Sequence, residues 1–150
     1  MSSGDVRGKA SYFMRDIEQA RMLLAIARQD LKVLSVLKDE EETPERIFGF
    51  HSQQAVEKTL KCWLSLLGLV YPFTHSLNLL FGLLEDEVGA EVDAFRALDI
   101  LTPYAVQLRY SSYAGFENEL DRAEIINQVS ELLNYVQNIL YLTDAMTNME

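Results

Sequence analysis

Apolar residues recur at intervals of three and four along most of the chain, which is the spacing of helices with one buried face. Over residues 10–37 this spacing predicts a first long amphipathic helix, and the acidic run at 38–42 predicts a solvated loop. Thr43 and Pro44 then form a helix-start signal, with the threonine as N-cap and the proline at the first helical position. We therefore expect a second helix over residues 44–67.

Glycine, threonine and proline divide the middle of the chain. Gly68 ends the second helix, and Thr74 can cap a short third helix over residues 76–87. The apolar spacing then predicts a fourth helix over residues 90–110. Pro103 lies inside this fourth helix and, because it lacks a backbone N–H, should bend or restart it.

The last helix has a start signal of its own. Asp121, with Glu124 three residues later, is typical of a capping box, and the apolar spacing continues to about residue 147. Residues 1–9 are small and polar, so we expect them to be flexible. Since no segment alternates like a β-strand, we expect residues 10–150 to form one all-α domain, an antiparallel up-and-down bundle of about five helices.

The composition is that of an ordinary globular domain, with 49% hydrophobic and 24% charged residues. The single cysteine, Cys62, cannot form an internal disulfide and favours a reducing compartment, so we expect a cytoplasmic protein. The N-terminal residues lack the apolar core of a signal peptide. No run approaches the length of about 18 apolar residues that a membrane helix needs, so no membrane association is expected.

The negative charge is concentrated in the second half of the chain. Residues 1–75 hold ten basic and ten acidic residues, whereas residues 76–150 hold three basic and thirteen acidic ones, which accounts for the net charge of −10. Nonspecific binding to DNA or RNA requires a basic surface that releases counterions, so we expect no DNA partner. Any contact with RNA or a nucleotide must use the few cations that the fold gathers in one place.

One face of the second helix carries polar residues that its core packing does not need. At 100° of rotation per residue, four of them fall within an arc of roughly 80°: His51, Gln54, Lys58 and Lys61. This stripe predicts a binding surface. The structural alternative is a solvated face on which Glu57 and Lys61 form an ordinary pair one helical turn apart.

Other site chemistry is not indicated by the sequence. His51 and His75 lie on separate elements without metal-ligand spacing, and there is no glycine-rich phosphate loop. We therefore expect neither a metal nor another cofactor. Cys62 lies between apolar neighbours and is interpreted as a packed residue and not as a reactive thiol.

Three segments together resemble the HEPN domain family. They are FHSQQAVEKTLK at residues 50–61, THSL at 74–77 and LRY at 108–110. The resemblance covers residues from about 10 to 145, with helix lengths in the order that the family shows. It implies an up-and-down helical bundle that forms homodimers. It also implies a prokaryotic protein paired with a small nucleotidyltransferase of the MNT type, often as a toxin–antitoxin module.

Many HEPN proteins are metal-independent ribonucleases, and this chain departs from their motif. That motif is an arginine and a histidine with four to six residues between them, brought together across the dimer. After Arg109, the corresponding positions are Ala114, Gly115 and Phe116, none of which can exchange a proton as a general acid or base. His51 or His75 could replace the missing histidine only if the fold places one beside Arg109.

Arg109 is the best candidate for a catalytic residue, because its guanidinium can bind phosphate oxygens in pairs. A favourable position at a helix C-terminus is its structural alternative. Tyr110 and Tyr113 could stack on a base or pack the loop, and the family resemblance makes Tyr113 a candidate acceptor for nucleotidyl transfer. The predicted ligand-binding set is His51, Gln54, Lys58, Lys61, His75, Arg109, Tyr110 and Tyr113.

Three functional hypotheses remain open at this point. The first is a nucleotide- or RNA-phosphate-binding protein that works as a homodimer beside a nucleotidyltransferase. The second is a ribonuclease with a non-standard site, and the third is a helical interaction module that binds no ligand.

Overall fold

The computed structural model describes residues 16–107 and 120–149. These residues form five α-helices and two 3-10 helices and contain no strand, which confirms the predicted all-α bundle. The α-helices are α1 (Ile17–Leu37), α2 (Glu45–Leu66), α3 (Leu77–Val88), α4 (Tyr104–Gln107) and α5 (Arg122–Asn148). The two 3-10 helices, Gly89–Val92 and Arg96–Leu101, lie between α3 and α4.

Helix α2 is the centre of the bundle, and α1, α3, α4 and α5 all pack against it. Apolar side chains cover most of its circumference and are fully buried, among them Phe48, Leu60 and Trp63. Trp63 lies edge-on to Tyr135 of α5, with ring centroids 5.3 Å apart. Because so much of α2 faces other helices, only one strip of its surface is left partly exposed to solvent.

Contacts between helix ends establish the directions of the long helices. Arg21 near the start of α1 pairs with Asp144 near the end of α5 at 2.6 Å. At the other end of the bundle, Arg122 Nη1 donates to the carbonyl of Leu37 at 2.9 Å. Helices α1 and α5 therefore run in opposite directions.

The predicted start of α2 is wrong by one residue. Pro44 has φ −58° and ψ 144°, so it lies at the N-cap position and not inside the helix. No side chain caps this end, and Thr43 instead offers its backbone carbonyl to Arg122 Nη2 at 2.8 Å. The extended ψ of Pro44 moves the cap position one residue beyond the threonine.

The prediction that Thr74 caps α3 is also wrong. Ser76, not Thr74, caps this helix, accepting a hydrogen bond from the backbone N–H of Leu79 at 3.2 Å. The Thr74 hydroxyl instead accepts from the N–H of Ser76 at 3.0 Å. Thr74 therefore forms a tight turn before the helix, a role that short hydroxyl side chains also serve.

The fourth helix predicted over residues 90–110 does not form as one helix. Gly89 has φ 66°, which ends α3, and the chain then continues in 3-10 turns. Phe95 N–H bonds the carbonyl of Val92 at 3.0 Å, an i,i+3 bond in place of the i,i+4 bond of an α-helix. Pro103 has no N–H to extend the ladder, and α4 starts directly after it.

The structure corrects the start of α1 and bears out the start of α5. Asp16 caps α1 by accepting from Gln19 N–H at 2.9 Å, so this helix begins at Ile17 and not at the predicted residue 10; residues 1–9 lie outside the described residues. Asp121 caps α5 by accepting from Glu124 N–H at 3.1 Å, which confirms half of the capping box. The other half does not form, because the Glu124 carboxylate accepts from Gln128 Nε2 at 3.1 Å.

None of the described helices is long and apolar enough to cross a membrane.

Candidate functional site

The strip of α2 that the other helices leave open is the polar stripe predicted from the sequence. Its four residues, His51, Gln54, Lys58 and Lys61, are all partly buried and all hydrogen-bonded. Three further residues complete the arrangement: Gln53, Glu57 and His75. We refer to these seven residues together as the α2 polar surface.

The carboxylate of Glu57 is the centre of the α2 polar surface. The residue is only 4% exposed. Its Oε1 accepts from Gln53 Nε2 at 3.0 Å and lies 3.0 Å from His75 Nδ1, and its Oε2 accepts from Lys61 Nζ at 2.9 Å. Burial by itself raises the pKa of Glu57, but the hydrogen bonds from Gln53, Lys61 and His75 outweigh it and lower the pKa below its ordinary value of 4.5. The carboxylate is therefore ionised at neutral pH.

A chain of amide groups links Glu57 to Lys58. Gln53 Nε2, besides binding Glu57, donates to the backbone carbonyl of His75 at 3.0 Å. Gln54 Nε2 donates to Gln53 Oε1 at 2.7 Å, and Gln54 Oε1 accepts from Lys58 Nζ. The orientation of each amide is thus determined by its two neighbours.

The two lysines of the α2 polar surface are in different electrostatic states. Lys61 is neutralised by the buried carboxylate of Glu57, and its side chain is 13% exposed. Its ammonium also lies 5.7 Å from the ring centroid of Tyr71. Lys58 is held by a neutral amide, and no carboxylate of the described residues lies within ion-pair distance of it. The positive charge of this surface is therefore concentrated at Lys58.

The ring of His75 is fixed by one contact and is otherwise largely exposed to solvent. Its Nδ1 contacts the Glu57 carboxylate, while its side chain is 60% exposed. A carboxylate can only accept, so Nδ1 carries the proton and Nε2 of the neutral ring keeps its lone pair. This arrangement suits a group that accepts a proton from a ligand, or that donates one to a phosphate oxygen once the ring is charged.

His51 is held in the same manner by a different helix. Its Nδ1 lies 2.9 Å from Oδ1 of Asp30 on α1, and the two side chains are 29% and 15% exposed. The ring also meets Phe50 edge-on, with centroids 5.3 Å apart. His51 therefore joins α1 to α2 and keeps its second nitrogen for a further contact.

The structure adds residues that the sequence prediction did not place in the site. Asp30 and Gln53 had no separate signal, and Glu57 was interpreted as one half of an ordinary surface pair with Lys61. The i,i+4 spacing of positions 53, 57 and 61 was the available signal for a shared hydrogen-bond network. Arg46, two turns before Gln53, also lies outside the predicted set, and its Nε is buried without a hydrogen-bond partner in the described structure.

Three predicted site residues lie outside the described residues: Arg109, Tyr110 and Tyr113, together with the loop positions 114–116. Their inclusion in the predicted ligand-binding set therefore stays a prediction from the sequence.

Cys62 is fully buried. Burial raises the pKa of its thiol to about 12, so the thiolate is not formed at neutral pH. The interpretation of Cys62 as a packed side chain agrees with this environment. Within residues 16–107 and 120–149, no group of three or more His, Cys, Asp or Glu side chains could hold a metal ion.

The helical architecture and the network around Glu57 can be compared with known proteins. The family model described as the HEPN domain matches residues 20–139, which contain every residue of the α2 polar surface. The chain belongs to the HEPN domain family. The resemblance found in the three sequence segments is thereby confirmed at the level of the family.

A solved structure supports the same fold for this HEPN protein. The structure titled "Crystal Structure of ST0689, an archaeal HEPN homologue" superposes with a TM-score of 0.59 and 23% sequence identity. The match covers 81% of this chain and 97% of the archaeal chain. At this identity the likeness shows the HEPN fold alone. The comparison with curated proteins finds no match.

Proposed function

We propose that this HEPN protein binds the phosphate of a nucleotide or RNA at the α2 polar surface. The observation that carries the proposal is the state of Lys58, which is held in place by Gln54 and lacks a described carboxylate partner. A positive charge that is oriented but not neutralised favours an anionic ligand, in a chain whose net charge of −10 otherwise repels anions.

The neighbouring side chains suit a phosphate group. His75 and His51 each have one ring nitrogen bound to a carboxylate and a second nitrogen available to a ligand. Membership of the HEPN family supports including Arg109, Tyr110 and Tyr113 in the proposed ligand-binding set, since a guanidinium and aromatic rings bind phosphate and bases.

Calorimetric titration with ATP and with a short single-stranded RNA tests the binding proposal. We expect heat of binding for the wild type and a large loss of affinity for Lys58→Gln, because the substitution removes the charge and keeps a polar side chain. Lys32→Gln is the matched control, since Lys32 is an exposed residue of α1 and should leave binding unchanged. Negligible heats for the wild type with both ligands would contradict the proposal and leave a protein-interaction role.

A second candidate function is a metal-independent ribonuclease, which the His75–Glu57 pair favours. In this mechanism His75 Nε2 takes the proton of a ribose 2′-hydroxyl, and the 2′-oxygen forms a bond to phosphorus. The bond from phosphorus to the 5′-oxygen breaks, and that oxygen takes a proton from water. The products are a 2′,3′-cyclic phosphate and a free 5′-hydroxyl, and an arginine such as Arg109 would stabilise the charge of the transition state.

An RNA cleavage assay tests this second function with His75→Gln and Arg109→Ala. We expect both variants to lose cleavage, while Lys32→Gln keeps the wild-type rate. Cleavage that survives both substitutions would exclude this mechanism, and a wild type that does not cut RNA would exclude the enzyme altogether.

Membership of the HEPN family also supports a proposed setting. We propose a cytoplasmic prokaryotic homodimer that pairs with an MNT-type nucleotidyltransferase as a toxin–antitoxin-like system, with Tyr113 as the proposed acceptor of a nucleotidyl group. Light scattering after size exclusion measures the dimer. Mass spectrometry after co-expression with a nucleotidyltransferase tests whether Tyr113 gains the mass of a nucleotide, and an unmodified Tyr113 would contradict its role as acceptor.

A further inference from the structure

A row of side chains on α2 extends the proposed phosphate site toward the start of the helix. Residues spaced by four lie on one continuous ridge of an α-helix. The ridge that contains Gln54 and Lys58 begins with Arg46 and Phe50, so a cation and an aromatic ring precede an amide and a second cation. All four side chains are partly buried and therefore held against the bundle.

Arg46 brings a second positive charge that no described carboxylate neutralises. Its Nε is buried without a hydrogen-bond partner, and the residue forms no ion pair within the described structure. The adjacent Glu45 is engaged elsewhere, since its carboxylate accepts from the Tyr104 hydroxyl at 3.2 Å and from Leu120 N–H at 2.6 Å. The guanidinium is thus in the same state as the ammonium of Lys58, charged and without a described counterion.

Between the two cations lies an aromatic ring. Phe50 is supported at its edge by His51, whose ring is tilted by 78° against it. His51 is itself anchored to Asp30 at 2.9 Å, so the edge of the phenyl ring rests on a fixed group. Aromatic side chains between basic residues are the surface on which single-stranded nucleic acids stack their bases.

The distance between the two cations decides the size of the ligand. Arg46 and Lys58 are twelve residues apart on α2, which corresponds to roughly 18 Å along the helix axis. The ridge also winds about 120° around α2 over these twelve residues, so the two charged groups are separated by at least this distance. At a stacked rise of about 3.4 Å per nucleotide, the row spans about five nucleotides, which a mononucleotide cannot bridge.

We propose that the Arg46–Phe50–Gln54–Lys58 ridge binds a single-stranded oligonucleotide along α2. One base stacks on Phe50, and Arg46 and Lys58 contact two separate phosphates of the same strand. This inference rests on the proposed phosphate binding at Lys58 and adds the ligand class, a single strand of about five nucleotides or more, given the span of the ridge.

Fluorescence anisotropy with labelled oligouridylates of increasing length tests the proposal, with UMP and a fully paired RNA hairpin as competitors. We expect affinity to rise with length until the strand spans the ridge, and neither UMP nor the hairpin to compete effectively. Arg46→Gln and Lys58→Gln should each lower the slope of log affinity against log salt by about one, because each removes one phosphate contact. Phe50→Leu should weaken binding about tenfold or more, whereas Phe50→Trp, which keeps an aromatic face, should not.

Lys32→Gln is the charge control, and circular dichroism of each variant establishes that it is folded. If Arg46→Gln binds RNA with the affinity and salt slope of the wild type while Lys58→Gln binds more weakly, the proposal that the ridge binds the strand is wrong. Phosphate binding at Lys58 would still hold. UMP binding as tightly as the longest strand would also overturn it. No binding of any strand by the wild type would overturn the proposed function itself.

Discussion

At the scale of single residues, the site depends on which charges are neutralised. Glu57 is buried, and its three donors more than offset the cost of burying its charge. Lys61 is engaged by that carboxylate, while Lys58, three residues earlier, is oriented by a neutral amide. Two lysines that look equivalent in the sequence therefore differ in what they offer a ligand.

Replacing Glu57 should change how stability depends on pH. The pKa of Glu57 is lowered in the folded state, so the unfolded chain binds more protons in acid. The contribution of this carboxylate is present above its ordinary pKa of 4.5 and is lost as the pH falls below that value. We expect Glu57→Gln to lower the free energy of unfolding at pH 7 by about 2–3 kcal/mol, the scale of hydrogen bonds to a charged group.

Urea unfolding of both proteins between pH 7 and acid measures the effect. The difference between the wild type and Glu57→Gln should shrink as the pH falls, whereas Glu131→Gln, at an exposed position of α5, should show no such difference. A constant difference across the pH range would mean that the charge of Glu57 contributes nothing to stability.

At the scale of elements, α4 is positioned by one glycine of α2. A Cβ placed on Gly49 would lie 2.1 Å from Cδ1 of Tyr104, so the tyrosine ring occupies the space that any other residue would need. The Tyr104 hydroxyl also donates to Glu45 at 3.2 Å, and burial raises the pKa of Tyr104, which keeps the hydroxyl protonated. Glu45 in addition accepts from Leu120 N–H, so this one carboxylate joins α4 to the residues just before α5.

Two glycine-to-alanine substitutions should have opposite effects on stability. Gly49→Ala should lower the free energy of unfolding by about 1–3 kcal/mol, because the Tyr104 ring must move. A Cβ added to Gly82 of α3 would meet no described atom within 4 Å, so Gly82→Ala should raise stability by about 0.5–1 kcal/mol, the ordinary preference of a helix for alanine. Urea unfolding checks both, and a stabilising Gly49→Ala would contradict the close packing of α4 on α2.

At the scale of the whole molecule, Arg122 links segments that are far apart in the sequence. This first residue of α5 donates to the carbonyls of Leu37 and Thr43 at 2.9 and 2.8 Å, and to that of Glu40 at 3.3 Å. Its guanidinium also lies 5.1 Å from the centre of the Phe48 ring. The loop between α1 and α2, which the sequence indicates only as an acidic run, is thereby attached to α5.

Removing Arg122 should therefore destabilise the entire bundle. We expect Arg122→Met to lower the free energy of unfolding by about 3 kcal/mol, since three carbonyls lose a charged donor. Arg96→Met is the control, because the Arg96 guanidinium bonds only exposed side chains, pairing with Glu85 at 2.8 Å and donating to Asn78 at 3.4 Å. An exposed ion pair of this kind should contribute less than about 1 kcal/mol. Equal effects of the two substitutions in urea unfolding would contradict the structural role of Arg122.

Helix periodicity by itself determined the fold class, the end of α1, both ends of α2 and α5 to within a residue or two, and the polar stripe of α2. These features are local, because the 3.6-residue turn alone decides which side chains share a face.

Only the tertiary structure decided which residues meet across the chain, such as His75 with Glu57, 18 positions away, and His51 with Asp30, 21 positions away. It also decided that residues 89–107 form short helical segments packed on α3 and α2, and not one helix. The sequence placed cations on one stripe, but their pairing in space determines that Lys61 is neutralised and that Lys58 and Arg46 have no described counterion.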